Sequence, residues 1–288
     1  MNRMRGINVI KELEVQQYAA IRPLLEGMGR NPVIEGVIDG NNRGRIFADH
    51  AQAPTAAFVW AKNEMFYLLG AGGEQSKGFN GQLEHFIIQT IKPLALADGE
   101  DYFNMEIPSY PCWQSTIDSY FRNQLNRGER VPFIFRRDQF QLRRLANTAS
   151  LASGYELRAI DRIAIEMDTE RTMTKEILKF WESIEQFMSM GIGYCVMKGH
   201  EVVGTCLSVF VSGDDYEIGI NTYNTEHRGK GLATAMAMHF ITACLHRGGV
   251  PHWTTESFRL DSIAIANKLG FEQLPNYPVY YHSFEELL

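Results

Sequence analysis

The chain has 288 residues, 45% hydrophobic and 22% charged, with a net charge of −6. That length holds one large or two ordinary domains, each with a full core. The acidic balance and the absence of a basic block disfavour sequence-independent nucleic-acid binding, which needs a cationic surface.

In chain order, Leu13, Tyr18, Ile21 and Leu25 recur at helical spacing and predict a helix near 10–28, stopped by Gly27 and Gly29. Residues 30–45 are rich in Asn, Gly and Arg and predict a loop. Thr55–Ala61 and Met65–Gly70 predict a hairpin turning at Lys62–Glu64. A glycine loop follows, then a helix over Leu83–Leu96, a strand over Tyr102–Ile107, a short helix over Trp113–Phe121 and a strand over Val131–Arg136. Leu142–Gly154 is polar and rich in small residues, which predicts a boundary between domains 1–150 and 151–288.

The second half predicts a strand over 155–160, a helix near 173–188, and strands over 192–198, 202–211 and 216–223. A helix over 231–246 follows, with Leu232, Met236, Phe240 and Ala243 as its apolar stripe. A strand over 252–257, a helix over 261–269 and a strand near 277–283 close the chain. The halves share an order of elements, and Gln75–Asn80 imitates a loop of the second half, so an internal duplication with a degenerate first copy is expected.

No run approaches the ~18 apolar residues needed to cross a bilayer, and the N-terminus turns charged too soon for a signal peptide. Cys112, Cys195, Cys206 and Cys244 lack C-x-x-C spacing and suit reduced thiols in a cytoplasmic protein. His239, Cys244 and His246 share a helix without an i, i+4 pair, so no metal site is expected.

The most informative stretch is Asn221–Ala233, NTYNTEHRGKGLA. A strand end, a basic glycine loop and a first helical turn aim unpaired N–H groups and a positive helix end at one spot, which favours a diphosphate. Arg228, Gly231 and Ala233 form R-x-x-G-x-A, and Lys268–Phe271 reads K-L-G-F. Together with the strand order, these motifs resemble the GNAT superfamily of N-acetyltransferases. The two-domain layout is similar to bacterial proteins related to zwittermicin-resistance acetyltransferases.

The resemblance implies an α/β (α+β) fold: a C-terminal GNAT domain with a mixed, mostly antiparallel twisted sheet flanked by helices, preceded by a degenerate GNAT-like domain. It implies acetyl-CoA as acyl donor, bound by Arg228, Gly229, Lys230, Gly231, Leu232 and Ala233, with backbone groups near Asn221 and Tyr223 bonding the pantetheine arm. The acceptor would be a small-molecule or peptide-like primary amine, with no nucleic-acid or membrane partner. Glu217, eleven residues before Arg228, is the implied general base, with Glu256 and His252 as alternatives. Arg259 and Ala266 stand where many members carry asparagine and a proton-donating tyrosine. Tyr281, or its neighbours Tyr277 and Tyr280, is expected to supply that acid. A non-catalytic acyl-CoA-binding module and a tandem aminoacyltransferase are the alternatives, the second weakened by the net charge.

Overall fold

The computed structural model describes residues 9–70, 72, 76–108, 110–120, 125–146 and 151–287. It divides into two compact units that interleave in sequence. The first comprises Met1–Gly40, Gly44–Glu129 and Tyr277–Leu288; the second comprises Asn41–Arg43 and Arg130–Asn276. Contacts therefore divide the chain differently from the single cut at 150 that composition suggested.

In the first unit, β1 (Lys11–Glu12), β2 (Gly44–Ala48), β3 (Ala56–Ala61) and β4 (Met65–Gly70) run antiparallel in that order. β5 (Tyr102–Glu106) joins β4 in parallel. The last strand of the chain, β14 (Tyr277–Ser283), pairs antiparallel with β5. The expected hairpin forms, with Asn63 at φ 59° in its turn. Every residue of β3 and β4 is buried, as both faces of the sheet are covered. The core is aromatic: Phe58, Trp60, Phe66, Phe79, Phe103 and Trp113 are all fully buried.

Two expectations for this unit are corrected. The N-terminal helix is a 3-10 helix over Val15–Leu25, interrupted by Pro23. The loop expected over 30–45 contains a helix, Pro32–Ile38, with all but Glu35 buried. Asn31 caps it by accepting from the Val33 and Ile34 N–H groups, and Pro32 needs no donor at the first position. Gln75 lies outside the described residues.

The second unit repeats the order. β7 (Glu156–Ala159), β8 (Gly193–Lys198), β9 (Glu201–Ser212) and β10 (Asp215–Thr222) run antiparallel, and β11 (Val250–His252) joins β10 in parallel. β12 (Thr254–Glu256) and β13 (Phe271–Gln273) leave that sheet and pair with β6 (Asn126–Phe135), which precedes the unit's other elements in sequence. Each unit thus completes itself with a segment from the other half of the chain.

The helix expected near 173–188 is two, Thr172–Phe180 and Ile184–Met190, parted where Trp181 turns extended and Ser183 caps the second. Leu142–Gly154 is not wholly a linker, since a helix runs over Arg137–Ala146.

Three residues from an early loop are stitched into this unit. Asn42 donates to Val209 O at 2.9 Å and accepts from Val211 N at 2.8 Å, while Asn41 donates to Val211 O at 3.0 Å. They satisfy the edge of β9 beyond the point where β8 stops pairing with it.

Candidate active site

The expected loop lies in the second unit, where β10 and β11 part. Their parallel pairing covers only Asp215–Glu217 against Val250–His252. Beyond it, β10 continues to Thr222 and keeps β9 on one side only, while β12 turns to β6. Tyr223 N donates to Val203 O across the β9 side. Strand alternation then turns the backbone groups of Ile220 and Thr222 toward the open side. This revises one expectation: the Tyr223 amide is already used, and the edge donors are those of Ile220 and Thr222.

The chain then passes through Arg228–Gly231 into the helix Leu232–His246. Gly229 and Gly231 have φ of +74° and +75°, left-handed values that L side chains resist. No side chain caps the helix, so its first amides have no side-chain acceptor. Arg228, Gly229, Lys230 and Gly231 are exposed, Leu232 is buried and Ala233 is half-buried. A cleft of about 660 Å³ opens here. One wall is the strand end and the loop; the other is Phe258, Arg259 and the facing side of the helix Leu260–Lys268. Arg228, Arg259 and Lys268 line it against one acid, Asp261, which makes it a cationic cleft.

The loop is anchored from below by His227, which is 1% exposed. Its Nδ1 lies 2.9 Å from the Tyr155 hydroxyl, with the rings edge to face. Its Nε2 approaches Glu226 at 3.1 Å without hydrogen-bond geometry. His227 gave no sequence signal beyond its place beside Arg228.

Glu217 is buried on β10, not part of a solvated acidic turn. It shares its strand face with Asp215, Gly219, Asn221 and Tyr223 by alternation. The pairing with β9 skips Val209 between Glu217 and Ile218, a bulge that bends the ladder beside the carboxylate. His252 sits opposite Glu217 in the parallel pair, and its Nε2 is 2.7 Å from Asp215 Oδ1. Further along, Asn221 Nδ2 donates to Glu176 Oε1 at 3.1 Å, and Lys179 Nζ donates to Glu176 Oε2 at 2.7 Å. The Tyr223 hydroxyl bonds Thr205 Oγ1 at 2.8 Å. Burial first, and the Glu176 carboxylate second, hold the Tyr223 phenol well above its ordinary pKa.

The remaining candidates separate. Glu256 ends β12 in an ion pair with Arg130 at 2.6 Å, a side chain only 6% exposed, and lies 3.8 Å from Arg259. Its two carboxylate oxygens are thus each turned to a guanidinium. Tyr281 lies on β14 in the first unit, opposite Asn104 of β5. Its neighbour Tyr277 donates to Glu106 Oε2 at 2.7 Å. Ala266 is fully buried, so nothing at that position faces a ligand. Among the described residues, no group of three or more His, Cys, Asp or Glu could hold a metal ion.

The GNAT acetyltransferase family profile matches residues 22–280. An uncharacterized N-acetyltransferase, YdfB of Bacillus subtilis strain 168, is 26% identical over 275 residues, covering 96% of this chain and 99% of the relative. Among solved structures, a GCN5-related N-acetyltransferase-like protein from Streptococcus suis aligns with TM-score 0.67 and 21% identity, over 92% of this chain and 98% of its own. A tandem GNAT protein from the clavulanic acid biosynthesis pathway aligns with TM-score 0.58 and 13% identity, over 96% and 98%.

Proposed function

Since the chain belongs to the GNAT acetyltransferase family, we propose that it is an acetyl-CoA-dependent N-acetyltransferase acting on a primary amine of a small-molecule or peptide-like acceptor. Residues of the 151–288 half carry the chemistry in this reading, and the 1–150 half is a degenerate partner. One observation supports it above others: an uncapped helix start and an open strand edge meet in one cationic cleft. The residues fit the donor. The amides of Gly229–Ala233 suit a diphosphate, with Arg228 and Lys230 adding charge. The edge groups of Ile220 and Thr222 suit the amides of a pantetheine arm, as an added strand.

Acetyl-CoA enters as a substrate and supplies the acyl group as a thioester. Glu217, buried at the bulge, takes a proton from the acceptor ammonium, directly or through water. The freed amine attacks the carbonyl; a C–N bond forms, the C–S bond breaks, and the second proton of the nitrogen passes through water to the departing thiolate, leaving a neutral amide and a free thiol. No acyl-enzyme is needed, and none of the three buried thiols suits one. Burial pushes Cys195 up to about 11 and Cys244 to about 12, and shifts Cys206 upward as well. Glu256 supports Arg259 rather than abstracting a proton. Among the described residues, no helix is long and apolar enough to cross a membrane, and four free cysteines suit the cytoplasm.

Steady-state kinetics with acetyl-CoA and a panel of amines test this reading, beside calorimetric CoA titration. Glu217→Gln should lower kcat by roughly 10²–10⁴-fold while the CoA Kd stays within about twofold of wild type. An unchanged kcat removes Glu217 from its role.

A further inference from the structure

We infer that Arg259, with the ring of Phe258 beside it, forms a second anion subsite that recognises the 3′-phosphoadenosine end of coenzyme A. The inference rests on the acyl-CoA reading above and asks which part of that ligand the far wall of the cleft takes.

The argument begins with topology. β10 and β11 run parallel, so their C-terminal ends lie at the same edge of the sheet. The loop Arg228–Gly231 follows β10 at that edge. β12 follows β11 after Trp253, and Phe258 and Arg259 come between it and the helix Leu260–Lys268. Both residues line the same cleft as the loop, on the wall that carries this helix. Lys268 also lines the cleft, but nine residues of helix set it about 13 Å further back.

The charge at Arg259 is available. Its side chain is 47% exposed, and its nearest acid, Glu256 Oε2, is 3.8 Å away. The other Glu256 oxygen is held at 2.6 Å by the buried Arg130. Arg130 thus engages the carboxylate that would otherwise claim Arg259, whose planar donors suit a phosphate dianion. The diphosphate has its own partners in the loop amides, Arg228 and Lys230, so a cation on the far wall suits a third phosphate. Phe258 is 79% exposed at the cleft rim. A large ring left there gains a partner if a flat base stacks on it. Coenzyme A carries a phosphate monoester and an adenine in adjacent positions, which matches adjacent Arg259 and Phe258.

Calorimetric titration with CoA and with dephospho-CoA, which lacks only the 3′-phosphate, tests the inference. Wild type should prefer CoA by about tenfold. Arg259→Ala should bind both ligands alike, near the wild-type affinity for dephospho-CoA, with an unchanged Tm. Arg259→Lys should keep part of the preference. Phe258→Ala should weaken both ligands by one common factor, and Lys268→Ala should leave the ratio intact. Equal wild-type affinities overturn the inference and leave the acyl-CoA reading standing. So does a full preference in Arg259→Ala, or its loss in Lys268→Ala. A wild type that binds neither ligand overturns both.

Discussion

The two units part a parallel strand pair at the same place in their sheets and fill the gap differently. In the first, β4 and β5 pair only at Phe66–Tyr67 against Met105–Glu106. The fully buried Trp113 then donates its indole N–H to Gly70 O at 3.0 Å, capping the end of β4. Phe79 packs edge to face on that indole, and Gly72 lies so close to the Cys112 carbonyl that a Cβ would sit 2.3 Å from it. In the second unit, Ile220–Thr222 border a cleft of about 660 Å³, and a Cβ on Gly229 or Gly231 would meet nothing within 4 Å. One topology thus holds packed core in one unit and an open cleft in the other. The difference lies in whether a large side chain occupies the divergence, not in the strand order.

The sharpest way to break this comparison is one substitution made in both copies. Gly72→Ala places a Cβ against backbone at φ +65°, where nothing yields cheaply. It should cost several kcal/mol, enough to abolish soluble expression. Gly231→Ala meets open space at φ +75°. It should cost only ~1 kcal/mol of stability while raising the CoA Kd by about 10²-fold, since the added methyl crowds the approach of the diphosphate. Thermal melts and calorimetry on both variants read the contrast. If both lose only stability, or both lose only binding, the two glycine sites are not different in kind.

Trp113→Ala sharpens the same point. Emptying a fully buried indole site should cost about 3–5 kcal/mol, lowering the Tm by roughly 10 °C, and CoA should still titrate at one equivalent per chain. A second equivalent, in the variant or in wild type, would mean that the first unit is also a binding site.

How much of this was legible in the sequence depends on how local each feature is. The loop at 228–233 was readable because left-handed glycines, flanking cations and a helix start are all encoded within a few residues. β3 and β4 were readable from their apolar runs and the intervening turn. The helix Pro32–Ile38 was hidden because it is buried almost all round and shows no amphipathic period, although Asn31-Pro32 is a sound start signal. The exchanged segments were hidden for a different reason. β14 pairs with β5 across more than half the chain and β13 with β6 across nearly half of it, and strand pairing leaves no address in local composition. The same limit applies to the site. Arg259 registered only as a departure from a motif, because the Glu256–Arg130 pair that leaves it available spans 126 residues.

The smallest expected effect probes what holds the open copy open. Tyr155 begins the second unit's sheet region and bonds the buried His227, the residue before Arg228. Lys198 Nζ also lies over the Tyr155 ring, 5.8 Å from its centre. Tyr155→Phe keeps the ring and its packing but leaves His227 Nδ1 buried without its partner. A lost partner of this kind costs about 1–3 kcal/mol, part of it spent on the order of the loop rather than on the fold. The CoA Kd should rise about three- to tenfold, with kcat at saturating acetyl-CoA within about twofold of wild type. That split distinguishes a residue that positions the loop from one that merely stabilises the unit, because a purely structural loss lowers Tm and leaves the affinity of the folded fraction unchanged. Trp113→Ala supplies the matched control, with a larger Tm fall and no change in Kd. If Tyr155→Phe behaves like Trp113→Ala, the loop keeps its shape without His227, and the glycine conformations alone hold the cleft open.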